Sequence, residues 1–389
     1  MKTIEITVPG SKSLTNRALI MASLADGISA IKGCSKSDDS LVMVKALKKL
    51  GIIITEKNNE LKIIGNNGKF RSFIGHLNVG NAGTTMRFLT SLATLVPGRI
   101  MINKSKRLKE RPLKELVEAL RNIRTGKVSI SGNISSQFIT ALMMIAPVLD
   151  KGLIINITGR KISSSYIDMT IDLMKKFGVK VEKISSRKFI IKKQPYKKTE
   201  YTVESDLSGA SYFFAAAAIM GKTIKIKNVN PDSVQGDRFF PDLLKKMGCR
   251  VRKNIKEKWI EVKAPKILRG INADMINMPD TAQTLAVVAA FAKGKTKITG
   301  LSTLKIKETD RLLALKKELG KMKIKSKVTD DSITIIGGSP QKAVIETYGD
   351  HRMAMAFAVA KLKVKGLTIK NPEVVNKSFP EFWKKFKQL

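Results

Sequence analysis

The sequence predicts an α/β protein of repeated modules arranged in two domains, and three observations carry that reading. A helical apolar run ends at a glycine and gives way to a short alternating strand six times, at Gly27, Gly98, Gly152, Gly221, Gly294 and Gly366. The intervals between those glycines are 71, 54, 69, 73 and 72 residues. A second element recurs inside the interval: Leu47-Lys-Lys-Leu-Gly51, Met174-Lys-Lys-Phe-Gly178, Leu244-Lys-Lys-Met-Gly248 and Leu315-Lys-Lys-Glu-Leu-Gly320. Each reads as a helix end, with lysines at the negative dipole end and glycine as terminator. Third, 389 residues with 43% hydrophobic content fill more than one core.

The elements follow in order. Thr3 to Val8 reads as a strand, Pro9-Gly10 breaks it, and Leu14 to Ala25 reads as a helix. Ser11 and Ser13 suit the helix start, where free N–H groups need caps. Lys12 and Arg17 stand about one turn apart there, a pattern that fits a dianion such as a phosphate ester. The spacing of a Walker loop is absent. Taken alone, the same segment also reads as a capped surface helix with two solvated cations.

An alternating strand pair follows the helix end at Gly51, over Ile52–Thr55 and Leu61–Ile64. Between Gly98 and Gly152 the corresponding piece shrinks to Arg121-Asn-Ile-Arg-Thr-Gly126, which reads as a deletion of about 16–19 residues. Six helix starts are alike: Ser11-Lys-Ser13, Gly80-Asn-Ala-Gly-Thr84, Ser135-Ser-Gln137, Asp206-Leu-Ser-Gly-Ala-Ser211, Pro279-Asp-Thr281 and Gly349-Asp-His-Arg352. Their bodies are small and apolar nearly all round, so burial is expected. If the modules pack about a pseudo-threefold axis, these N-termini converge and create a positive potential. Six good caps would explain the repetition, but not Lys12, Gln137 and Arg352 beside them. Further cations sit on Lys104-Ser-Lys-Arg-Leu-Lys-Glu-Arg111-Pro112, on Ile306–Arg311 and at Asn376-Lys377. In the second of these, Lys307 and Arg311 are placed at i,i+4 and Glu308 and Arg311 at i,i+3 on one helix face. Each run alone reads as solvated charge; together they suit an anionic ligand held between two domains.

The formal charge of +40 favours anionic partners, and a lysine-rich solvated coat accounts for most of the excess. No stretch is long and apolar enough to span a bilayer, and Met1-Lys2 leads straight into the first strand without a signal peptide. Cys34 and Cys249 are far apart in no ligand spacing, which fits a reducing cytoplasm. His76 and His351 complete no zinc pattern with them.

Seven ordered motifs carry a resemblance: Pro9-Gly-Ser-Lys-Ser13…Asn16-Arg17-Ala18, Gly80-Asn-Ala-Gly-Thr84…Arg87, Lys109-Glu-Arg-Pro112, Ser135-Ser-Gln-Phe138, Tyr166-Ile-Asp168, Lys307-Glu-Thr-Asp-Arg311 and Asp350-His-Arg-Met-Ala354. From about residue 5 to residue 385 the chain resembles the 5-enolpyruvylshikimate-3-phosphate synthase family. The resemblance implies a two-domain inside-out α/β barrel, each domain of three βαβαββ repeats with the second repeat shortened. The first domain would comprise residues 1–12 and 207–389, the second 13–206, with the active site in the cleft between them. The implied reaction moves the enolpyruvyl group of phosphoenolpyruvate to the 5-hydroxyl of shikimate 3-phosphate and releases phosphate. No metal or organic cofactor is implied, and a cytoplasmic monomer with no nucleic-acid or membrane partner is expected.

By the same resemblance, Lys12, Ser13, Arg17, Ser135, Ser136, Gln137, Ser163, Asp280 and Lys307 would bind shikimate 3-phosphate. Lys12, Gly83, Arg111, Gln137, Arg311, Arg352 and Lys377 would bind phosphoenolpyruvate. Asp280 would take the 5-hydroxyl proton, Glu308 would protonate the methylene carbon, and Lys12 is a further candidate proton donor, to the departing phosphate. The chemistry asks for such a set, because an alcohol nucleophile needs a positioned base and an enol ether carbon turns electrophilic only on protonation. The chain departs from the family at Thr303, often asparagine, at Ser164-Ser165, commonly Lys-Pro, and at Phe88, commonly proline. A sister enzyme acting on a UDP-N-acetylhexosamine usually carries a reactive cysteine in the loop matching Lys104–Arg111, and this loop has none. A nucleic-acid-binding protein is permitted by charge, but aromatic content is only 6% and no recognised motif is present.

Overall fold

A computed structural model describes residues 3–159 and 163–389. The chain forms two compact units, one made of the residues up to Pro9 with Glu204–Leu389, the other of Gly10–Val203. Their joins fall at 9/10 and 203/204, each three residues before those that the resemblance implied. Met1 and Lys2, at the head of the expected first strand, lie outside the described residues.

In the first unit, Ile4–Thr7 pairs in parallel with Thr223–Lys227, which continues antiparallel to Trp259–Lys263 and then Arg250–Asn254. The next sheet repeats the plan with Asn272–Asp274, Lys295–Thr299, Ile333–Ile336 and Ser326–Val328. A last parallel pair joins Val344–Ile345 to Thr368–Ile369. The apolar helices Leu207–Met220, Ala282–Ala289 and His351–Lys361 pack with these sheets in one continuous core. Their all-round apolar character demands that burial, since no polar face is left for water.

The second unit uses the same plan. Ala25–Lys32 takes Tyr196–Lys197 and Glu200–Thr202 in parallel on one side and the antiparallel hairpin Glu60–Asn66 with Ile53–Lys57 on the other. Lys127–Ser131, Leu153–Thr158, Lys188–Ile191 and Glu182–Ser185 form a second sheet. The remaining pair, Phe73–Gly80 with Gly98–Lys104, is parallel and has no hairpin beyond it. Residues 105–126 carry only helices and turns, over Lys106–Lys109, Lys114–Arg121 and Ile123–Thr125. The helices Lys12–Leu24, Gly83–Leu92 and Ser136–Ile145 are the buried helices of this unit.

Two glycine readings differ from the structure. The first helix stops at Leu24, and Gly27 lies inside the strand Ala25–Lys32, because backbone pairing with Glu60–Asn66 runs back to Asp26. Gly320 lies inside the helix Arg311–Lys321, and Lys323, at φ 62°, takes the left-handed place that Gly51 fills in the equivalent Leu-Lys-Lys-Leu-Gly. The match there is therefore to Leu319-Gly-Lys-Met-Lys323, four residues later, and it carries Glu318 into the buried face of the helix.

Candidate functional site

In the first unit, three loop-to-helix junctions and the end of the 3-10 turn Pro372–Lys377 deliver charge to one place. Asp280 stands in the turn Pro279–Thr281 that opens the helix Ala282–Ala289. Its Oδ2 accepts from Arg352 Nη2 at 2.8 Å, and its Oδ1 accepts from Arg311 Nη1 at 3.3 Å with Lys307 Nζ at 3.9 Å. Glu308 Oε2 accepts from Arg311 Nη2 at 2.8 Å, and its Oε1 lies 3.9 Å from Lys377 Nζ. The two carboxylates proposed from sequence as base and acid are thus bridged by a single guanidinium.

That guanidinium is fully enclosed, and Asp350 grips it from Nε at 2.7 Å and from Nη2 at 3.2 Å. Burial works against the Arg311 charge, but Asp350, Glu308 and Asp280 outweigh it and hold its pKa above the ordinary value. Asp350 also caps the helix His351–Lys361 through Arg352 N, which fixes where Arg352 starts. The expected helical face for Lys307, Glu308 and Arg311 is not what joins them. Residues Ser302–Ile306 form a 3-10 turn, and the helix begins only at Arg311, because Asp310 accepts from Leu312 N and Leu313 N as N-cap. Asp280 and Arg311 do the joining instead.

Asp237 is a carboxylate that the sequence reading did not single out. It is buried, accepts a hydrogen bond from Ser208 Oγ, and its pKa is raised to about 7. Burial is the first cause and the nearby charge of Asp280 the second; Ser208 and Arg352 pull the other way, and Asp206 adds to the rise.

In the second unit, Lys12 opens the helix Lys12–Leu24 and its Nζ meets Asp39 Oδ2 at 2.9 Å. Ser11 occupies the N-cap position in extended conformation without a side-chain cap bond. Arg17 is 1% exposed, donates from Nε to Thr170 Oγ1 at 2.7 Å and from Nη1 to the Ser13 carbonyl at 2.9 Å, and lies over the rings of Phe88 and Tyr166. Its Nη2 has no hydrogen-bond partner among the described residues, and burial lowers its pKa to about 10. A guanidinium held this way has one buried donor to spare, the chemistry that a charge-assisted hydrogen bond to an anion needs.

Gln137, one residue into the helix capped by Ser135, has its amide oxygen on Arg87 Nη1 at 3.0 Å and donates from Nε2 to Thr84 Oγ1 at 3.1 Å. Ser136 is the first residue of that helix, and Ser163 Oγ lies 3.0 Å from Ser165 Oγ. Arg111 lies against Gly83 so closely that a Cβ there would stand 2.5 Å from Arg111 Nη1, so any larger residue would make the guanidinium shift. Arg87, quoted in a motif but given no role from sequence, is the buried hub of this group and donates also to the carbonyls of Gly83 and Pro112. Asp39 was likewise unmarked, since nothing in its local sequence ties it to Lys12, 27 positions away.

The EPSP synthase (3-phosphoshikimate 1-carboxyvinyltransferase) family model matches residues 3–125 and 121–386. The chain belongs to that family. A 3-phosphoshikimate 1-carboxyvinyltransferase of Sulfurovum sp. (strain NBC37-1) is 40% identical, with 97% of this chain and 95% of the relative covered. One from Methanosphaerula palustris is 39% identical, over 98% of this chain and 95% of its own. Among solved structures, an EPSP synthase from Acinetobacter baumannii superposes with a TM-score of 0.81 at 24% identity, covering 99% of this chain and 95% of the other. That likeness places the mixed α/β architecture, with its several small sheets, in the EPSP synthase fold. No helix among the described residues is long and apolar enough to cross a membrane.

Proposed function

We propose that this chain transfers the enolpyruvyl group of phosphoenolpyruvate to the 5-hydroxyl of shikimate 3-phosphate, giving 5-enolpyruvylshikimate 3-phosphate and phosphate, as a transferase of aromatic amino acid biosynthesis. The observation that carries the reading is Asp280 and Glu308 bridged by Arg311, with Arg352, Lys307 and Lys377 closing on the same two carboxylates.

In this reading Asp280 accepts the 5-hydroxyl proton as the oxygen attacks C2 of the enolpyruvyl group. Glu308 delivers a proton to the methylene carbon, and the C–O bond forms to give a tetrahedral ketal phosphate. Loss of a methyl proton and cleavage of the C–O bond to phosphate then regenerate the enol ether. Arg111, Gln137, Gly83, Arg311, Arg352, Lys377 and Lys12 take phosphoenolpyruvate, whose carboxylate and phosphate compete with Asp280 and Glu308 for the arginines. That competition frees the base as substrate binds. Ser13, Arg17, Ser135, Ser136, Gln137, Ser163, Lys307 and Lys12 take shikimate 3-phosphate, and the spare Nη2 of buried Arg17 supports a charge-assisted hydrogen bond to its phosphate. The cations stabilise negative charge gathering on the departing phosphate, and Lys12 serves in this reading as the candidate proton donor to it.

The same reading carries two three-module barrels of βαβαββ repeats and a monomeric cytoplasmic enzyme without nucleic-acid or membrane partners; the free thiols of Cys34 and Cys249 agree with a reducing compartment. The test is phosphate release on mixing the two substrates, with each omitted in turn. Release that needs both supports the reading; release from phosphoenolpyruvate alone, or none, refutes it.

A further inference from the structure

The helix Arg311–Lys321 holds the segment before Arg352 at two points. Arg311, its first residue, grips Asp350 with two hydrogen bonds. Glu318, seven residues on and on the same face, is wholly buried; its Oε1 accepts from Tyr348 Oη and its Oε2 from the backbone N–H of Glu346 at 3.1 Å. Lys321 pairs with the same Oε2 at 2.7 Å, and Lys317 Nζ lies 6.0 Å from the centre of the Tyr348 ring.

Between the two grips the backbone makes an unusual turn. Tyr348 has φ 55° and Gly349 φ 65°, and Asp350 N donates to the Thr347 carbonyl at 2.8 Å. Two successive left-handed residues are unremarkable for glycine but not for tyrosine, whose Cβ crowds the following carbonyl. Such a residue persists where its surroundings over-determine it, and here the surroundings are the Glu318 carboxylate beneath its hydroxyl. The turn sets the direction in which Asp350 enters, and so both the grip on Arg311 and the start of the helix that bears Arg352.

We propose that Glu318 and Tyr348 are positioning residues for Arg311 and Arg352, acting through the left-handed turn 347–350. Neither touches Asp280 or Glu308 in the contacts described above. Their hydrogen bond locks the turn that aims two arginines at the anionic substrate. The proposal rests on the enolpyruvyl-transfer reading, in which those arginines bind phosphoenolpyruvate.

The test is steady-state kinetics with both substrates varied, on Tyr348→Phe, Glu318→Gln, the double variant and Arg352→Ala, with a thermal melt of each. Tyr348→Phe removes one oxygen and is the mild arm if Glu318→Gln does not fold. The expected result is a KM for phosphoenolpyruvate raised about three- to ten-fold, the size of one net hydrogen bond, with kcat and the KM for shikimate 3-phosphate within twofold. The double variant should raise that KM by less than the product of the two single effects, because both act on the one Glu318–Tyr348 contact. If Tyr348→Phe shifts only the melting temperature while Arg352→Ala raises the phosphoenolpyruvate KM, the positioning role is overturned and the reading of the site stands. If Arg352→Ala leaves that KM unchanged, the reading falls and takes the positioning role with it.

Discussion

Asp350 holds Arg311 through both carboxylate oxygens, at 2.7 and 3.2 Å, and both side chains are buried. Removing one partner from a buried ion pair leaves the other charge short of compensation. Arg311 keeps Glu308 and Asp280, so the loss is partial. Asp350→Asn should cost about 2–3 kcal/mol of stability, a melting-temperature drop of order 5–10 °C. It should also weaken phosphoenolpyruvate binding, since Arg311 loses its anchor. Differential scanning calorimetry with the phosphoenolpyruvate KM checks both; an unshifted melt would show that the pair contributes nothing net.

Asp280→Asn should keep shikimate 3-phosphate binding and lose most turnover, by about 100- to 10,000-fold, because it removes the proposed base and leaves Arg17 and its neighbours in place. Calorimetric titration with shikimate 3-phosphate and single-turnover kinetics separate the two effects. A near-normal kcat would remove Asp280 from the mechanism.

Arg111→Ala and Lys377→Ala should chiefly raise the KM for phosphoenolpyruvate. Gly83→Ala should do so too, since its new methyl must displace the Arg111 guanidinium from 2.5 Å. An unchanged KM in all three would contradict the assignment of these residues to that substrate.

Asp237 titrates near pH 7 in the folded chain against an ordinary value of 3.8. The folded state therefore holds a proton that the unfolded chain releases, and this group's contribution to stability falls as pH rises between those values, by at most about 1.4 kcal/mol per pH unit. Asp237→Asn removes that slope and keeps an acceptor for Ser208. The variant should gain on the unmodified chain steadily from pH 4 to 7 and hold a constant lead above. Urea melts of both proteins across pH 4–9 check it, and parallel pH profiles would rule the titration out.

Much of the site was written in local spacing, and what was not depended on distance along the chain. Glu308 and Arg311 are three residues apart, and their contact at 2.8 Å is within reach of any turn-like backbone. Asp280, by contrast, meets Arg352 across 72 positions, and Lys12 meets Asp39 across 27. Asp237 carries no local mark, because its raised pKa comes from burial and from Asp280, both tertiary. The repeat was legible because glycine at a helix end is a local backbone requirement. It misled at Gly320, where Lys323 adopts the left-handed conformation in its stead, and at Gly27, where cross-strand pairing overrode the expected terminator. Arg87 shows the same limit: a motif marks its position, but only packing reveals that Gln137, Gly83 and Pro112 all depend on it.

The parallel pair Phe73–Gly80 with Gly98–Lys104, stripped of its hairpin, leaves rows of peptide groups without a strand beside them among the described residues. Such rows invite self-templated association. Lys49 Nζ shields one of them by donating to the His76 carbonyl at 3.4 Å, and Arg99 and Lys104 stud the other strand with like charge. The formal charge of +40 opposes close approach of copies at low ionic strength. That repulsion decays over about 10 Å at 0.1 M salt, so association through this edge is expected to grow as salt is raised, which light scattering across a salt series would read.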